Sequence, residues 1–198
     1  MLNQLKQNLN SLKELQYEHK IMFAAACCER MLPNYKAFSE IENWGDVSAL
    51  SNALAIAWQF VKTKDENILE LIQQCENQAP DTEIFNSLYT SAALDASNSI
   101  VESLLFIVDG SFDHIELISQ YAIDTIDMFI QVRDDLDFNS DPLFEKKIYN
   151  DELMIKEITK QVSDIQWLSS HLKRTDSDID FFRNHSNPSS PYSSIGVG

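Results

Sequence analysis

Glycine is nearly missing from this chain: four occur in 198 residues, two of them within the last three positions. Average usage is roughly 7% glycine and 5% proline, so glycine stands at about a third of that level and the five prolines at about half. Hairpin turns, β-bulges and phosphate-cradling loops lean on glycine's access to positive φ. A chain this poor in it is badly suited to an all-β fold or a Gly-rich nucleotide-binding loop, and helix is what remains. The 44% apolar content is ordinary for a folded globule. The length serves one sizeable core and is short for two.

Apolar spacing says where the helices run. Leu2, Leu5, Leu9 and Leu12 mark one face of a first helix. A second is expected over about Leu15 to Leu32, broken at Pro33 because the residue before proline avoids the α region. Pro33 would then open a short third helix ending near Asn43. Trp44-Gly45-Asp46 reads as a turn with Asp46 capping a helix through about Val61. Another covers about Asn67 to Gln78, halted by Pro80. A helix from about Leu88 to Val108 stops at Gly110, a natural left-handed terminus, and the polar side of that helix carries Phe106, which implies cover from more than one neighbour. Ser111 is expected to cap the next and most central helix. It sets Ile115, Ile118, Ala122, Ile126, Phe129, Val132 and Leu136 against an opposite stripe of Asp and Gln from Asp113 to Asp134. Asp141-Pro142 starts a short helix, and Asn150 a long one through about Lys173. Thr175 with Asp178 matches a capping box for a last helix to about Asn184. The reading is a single all-α domain over residues 1–186, a bundle of about seven to nine helices, with a Ser/Pro-rich tail over 187–198.

Charge excludes whole classes of partner. Fifteen basic residues against thirty-one acidic ones leave −16. Nucleic acid would meet repulsion instead of counterion release, and an anionic membrane surface likewise. Such a surface keeps a chain soluble, and it also suits a basic partner. The N-terminal MLNQLKQNLN shows no signal-peptide core. The longest uninterrupted apolar stretch, Ile21 to Cys28, is far short of the ~18 residues of a membrane span. Three cysteines, two adjacent, fit reduced thiols better than a disulfide framework. A cytoplasmic location is expected.

The segment CCERMLPNYKAF, Cys27 to Phe38, gathers the chemistry-bearing residues. Cys28 falls on the apolar face beside Ile21 and Ala25, with Cys27 turned about 100° from it. No Cys-x-x-Cys accompanies them and the four histidines are scattered, so zinc is not expected. A helix C-terminus disfavours the thiolate, leaving two structural thiols. Arg30 suits a helix C-terminus. Glu29-Arg30 are read either as a contact pinning the second helix to the third, or as part of a polar pocket with Asn34 and Tyr35. Reading Asp135, Asp137 and Asn139 as the start of an EF-hand loop fails at Ser140, Pro142 and Lys146. Glu-x-x-His, His-Glu-x-x-His, P-loop, Gly-x-Gly-x-x-Gly and Gly-x-Ser-x-Gly motifs are all absent from the sequence. No catalytic residues, metal ligands or cofactor are assigned.

The blocks CERMLPNYKAF (Cys28 to Phe38), WGD (Trp44 to Asp46), ALDA (Ala93 to Ala96), DIQW (Asp164 to Trp167) and the terminal SIGV resemble, in order and spacing, the YjaG-like family of bacterial proteins. That resemblance implies an all-helical cytoplasmic protein of about this length and implies no activity. The stretch from His185 to Ser194 departs from it, being richer in Ser and Pro than the charged helical ending of relatives. Two functions follow as expectations. One is a non-catalytic interaction or regulatory protein, with a protein partner or a second copy of itself. The other is a ligand-binding protein or enzyme using Glu29, Arg30, Asn34 and Tyr35, with Asp95 or Trp167.

Overall fold

The computed structural model describes residues 2–61, 68–173 and 175–186. Nine helices and no strand lie among them: α1 Leu2–Lys13, α2 Tyr17–Glu42, α3 Val47–Phe60, α4 Ile68–Glu76, α5 Thr90–Asp109, α6 Phe112–Arg133, α7 Phe144–Asn150, α8 Glu152–Ser170 and α9 Asp176–Ser186. The expected all-α single domain is the observed one. The tail over 187–198 lies outside the described residues.

The hub is α2, which packs against α1, α3, α5, α6, α8 and α9. Every residue from Ile21 to Leu32 is buried, Glu29 and Arg30 included. A helix buried on all sides is a core helix, and it brings its charges inside with it. Ala24, Ala25 and Ala26, each 0% exposed, keep the neighbouring helices close. The second central element is α5, packed on α2, α3, α4 and α6. By length and composition α5 alone among the described helices could cross a membrane, yet most of it is enclosed by those four neighbours. The expectation that α6 is central is corrected: α6 flanks the α2–α5 pair.

A second correction concerns Pro33. The helix does not break there; α2 runs through it for 26 residues. Proline has no N–H for the carbonyl of Glu29 and its ring crowds that turn, at about 3 kcal/mol in a helix interior. Met31, Leu32, Asn34, Tyr35 and Phe38 are buried on both sides of it, and keeping all five in one helix outweighs that local cost. Arg30 and the two cysteines are therefore mid-helix residues, and no helix terminus acts on the thiols.

The caps divide. Asp46 accepts from the Ser48 and Ala49 amides, as expected, and Thr175 and Asp178 form the reciprocal box. Gly110 takes φ 73° after α5. Ser111 precedes α6, but its side chain makes no cap; Asp109 accepts the Ser111 amide instead. Asp151, not Asn150, caps α8. Phe106 is buried and stacks on Tyr17 at 4.9 Å. The Tyr17 hydroxyl donates to the Ile107 and Phe106 carbonyls, two orphan acceptors in the last turn of α5. Val132, placed by periodicity on the inner face, is 59% exposed.

Candidate functional site

The core of the molecule holds an ion network built around Arg30. Its Nε and Nη2 donate to Glu157 at 3.3 and 3.1 Å, a two-point grip. Its Nη1 donates to Asp164 at 3.0 Å and to the Ala26 carbonyl at 3.1 Å, and Nη2 also meets the Cys27 sulfur at 3.3 Å. Both carboxylates belong to α8, so the contact ties α2 to α8, not to a neighbouring short helix. Lys160 pairs with Asp164 from the solvent side. Gln161 donates to Glu157 at 3.0 Å and accepts from the buried Ser119 hydroxyl at 2.6 Å, extending the chain to α6. Burial works against charge on Arg30, but Glu157 and Asp164 more than reverse that and hold the guanidinium above its usual range.

Glu29 turns the other way. One of its oxygens accepts from the Trp58 indole at 3.0 Å and from Arg183 Nε at 3.0 Å, joining α3 and α9 to α2. Phe182 fits between Trp58 and Trp167, with ring centroids 6.4 and 5.0 Å away. Three carboxylates (Glu29, Glu157, Asp164) thus meet three cations (Arg30, Lys160, Arg183). The cluster carries no net charge toward a ligand.

Tyr35 serves the far end of α2. Its hydroxyl donates to the Gln78 carbonyl at 2.9 Å, while the Gln78 side chain accepts the Asp46 amide at 2.8 Å. Gly45 sits at φ 84°, and a Cβ there would lie 2.3 Å from the Tyr35 hydroxyl oxygen. Glycine at this position serves both the turn and the passage of the tyrosine. Phe38, Trp44 and Phe85 pack edge to face beside it. Asn34 is 1% exposed in the same helix. Asp95 accepts from Thr125 at 2.9 Å across the α5–α6 seam. Burial pushes its carboxyl up to about 6, with Asp124 adding to the rise.

The six residues named from sequence are thus spread over separate contacts. Glu29, Arg30 and Trp167 share the α2–α8–α9 region, Tyr35 reaches the chain after α4, and Asp95 faces α6. Sequence reasoning passed over Glu157, Asp164, Gln161 and Ser119 as site residues; a Glu-x-x-x-Gln-x-x-Asp pattern on the inner side of an amphipathic helix was the available signal. The cysteines are free and buried, and burial lifts Cys27 and Cys75 to about 12 and Cys28 well above its ordinary value. At the α5–α6 turn, His114 bridges Glu102 and Asp109, which raise its pKa despite burial. Two clefts lie elsewhere. One of about 370 Å³ separates α1 from α6, between Leu2, Leu5, Lys6, Leu9 and Glu116, Ser119, Ile123. The other, about 200 Å³, lies between the start of α5 and the second half of α6.

A nine-helix bundle clamped by a charge-balanced internal network defines a class of helical proteins without a recognisable catalytic centre among the described residues. The chain belongs to the family described as "Protein of unknown function (DUF416)", whose model matches residues 7–198. It is similar to an uncharacterised protein of Haemophilus influenzae, 28% identical over 171 residues, which span 84% of this chain and 81% of that one. It is also similar to the uncharacterised protein YjaG of Escherichia coli, 24% identical over 159 residues, 79% and 76% of the two chains. The crystal structure of a DUF416 family protein from Shewanella baltica superposes with a TM-score of 0.85 at 29% identity, covering 96% of this chain and 97% of that one.

Proposed function

We propose that this chain is a non-catalytic cytoplasmic protein that works by binding another protein. The observation that carries the reading is the fate of its most distinctive segment. Glu29, Arg30 and Tyr35, the residues that a polar pocket would present, are taken up by Trp58, Arg183, Glu157, Asp164 and Gln78 inside the fold. Groups satisfied in this way hold a scaffold rigid and offer a ligand little. Free, buried thiols suit a reducing compartment. The surface, by contrast, exposes Leu88, Met128 and Val132 around one cleft.

A second reading, a small-molecule binder, is favoured by the α1–α6 cleft, whose volume lies at the low end of ligand sites. Native mass spectrometry on untagged protein drawn gently from its host separates the two. A second protein in the complex is expected. A stoichiometric small molecule on a chain that carries no protein partner would overturn the interaction reading.

A further inference from the structure

The outer face of the α5–α6 hairpin has the two properties that select a helical partner: an apolar groove and an unrelieved charge. On α6, Leu117, Tyr121, Met128 and Val132 follow one another at helical spacing along one stripe. Leu117 and Met128 are each 42% exposed and Val132 is 59% exposed. The stripe spans about 22 Å at 1.5 Å per residue, roughly four turns of a docked helix. Leu88, 49% exposed, forms the opposite wall of the cleft with Ser91 and Ala92. Neither α5 nor α6 has a described helix packed over this side; their neighbours lie behind and beside it.

The charge is one-sided. Between Thr90 and Arg133 the sequence holds seven acids, no lysine and one arginine, Arg133 itself. Arg133 is committed to Asp134 and Asp151. Asp95, Asp124 and Asp127 take hydrogen bonds from Thr125, Gln120 and Gln131, all neutral, so no cation of this chain answers them in those bonds. Burial raises the carboxyls of Asp95 and Asp127, and Asp124 raises both further. A partner's cations would relieve that repulsion. A second copy of the chain would set acid against acid, and a nucleic acid would be repelled.

We propose that the α5–α6 face binds an amphipathic basic helix of another protein, its apolar side in the groove between Leu88 and the Met128–Val132 stripe and its lysines or arginines toward Asp95, Asp124 and Asp127. Helix-in-groove recognition uses anchors at this spacing. The proposal rests on the interaction reading above and names the partner's chemistry.

The test uses the full chain and two model peptides of about four turns: an amphipathic leucine–lysine helix and its leucine–glutamate counterpart. The lysine peptide is expected to bind, more weakly as salt rises, and the glutamate peptide not to bind. Met128→Asp with Val132→Asp, both on exposed positions, is the deciding variant once circular dichroism shows it folded. It adds two negative charges, so unspecific attraction predicts tighter binding. Docking in the groove predicts roughly tenfold weaker binding or worse from loss of the two anchors. Equal or tighter binding by that variant, or equal binding of both peptides, overturns the proposal. A photo-reactive residue at position 128 in the host distinguishes the two levels. A discrete adduct with a partner lacking a basic helix leaves the interaction reading standing and this inference refuted; no adduct at all counts against both.

Discussion

Replacing Arg30 with Met tests whether the buried network holds the fold. Methionine keeps much of the stem's volume and removes only the guanidinium. Arg30 is 3% exposed, and its partners Glu157 and Asp164 are 2% and 3% exposed. In the variant Asp164 keeps Lys160, whose side chain is 27% exposed and brings solvent with it. Glu157 keeps only the neutral Gln161 amide among its side-chain bonds described above. Removing one partner of a buried pair costs about 3–5 kcal/mol, because the other charge stays inside uncompensated. In a chain of this size each kcal/mol moves Tm by about 2–4 °C, so the expected fall is about 6–20 °C. Adding Glu157→Leu removes the stranded charge, while Gln161 still donates to the Ser119 carbonyl at 3.2 Å. The double variant is expected to recover to within about 1–2 kcal/mol of the parent, since apolar replacements of whole buried pairs are often near neutral. Urea unfolding followed by far-UV circular dichroism measures all three proteins. A single variant within about 1 kcal/mol of the parent, or a double variant no better than the single, would refute the reasoning.

Other outcomes follow from separate places in the molecule. Gly45→Ala is expected to destabilise by about 2 kcal/mol or more, combining roughly 1–2 kcal/mol for a left-handed alanine with the overlap on the Tyr35 hydroxyl. Tyr35→Phe should relieve only the overlap, and a double-mutant cycle showing no coupling would contradict it. The Asp95 carboxyl, raised to about 6 in the fold, holds a proton that the unfolded chain has lost above about 4. Its contribution therefore makes stability fall as pH rises between about 4 and 6, and Asp95→Asn should flatten that slope in chemical denaturation. An unchanged slope counts against a buried, charge-averse Asp95. The three thiols are expected to resist a thiol-reactive dye in the native state and all to react on unfolding. Rapid labelling of one in the folded protein would mean that its burial is not maintained.

Local signals located most helices because each is written in its own segment: the Leu2–Leu12 spacing, the Asp46 cap, Gly110, and the box of Thr175 with Asp178. The break expected at Pro33 failed because a local backbone bias was weighed without the burial of five residues around it. The partners of Arg30 could not be read at all. Glu157 lies 127 residues away and Asp164 134, and only the packing of α8 on α2 brings them together. Val132 misled for a related reason. Apolar spacing on α6 continues past the core, and a run of apolar residues looks the same whether it meets the protein's interior or a partner. The residues of the expected pocket were rightly singled out as unusual, but helix spacing carries no information on whether such residues face a cavity or one another.

The seating of Phe182 between Trp58 and Trp167 gives the molecule an optical gauge. Two of its three indoles touch the same side chain of the terminal helix, while Trp44 sits with Phe38 and Phe85 at the α2–α3 turn. Detachment of α9 would wet two indoles and leave the third dry, whereas general unfolding would expose all three. Intrinsic emission, read with single Trp→Phe replacements, can therefore time the loosening of one end of the protein separately from the collapse of the whole, without any attached label.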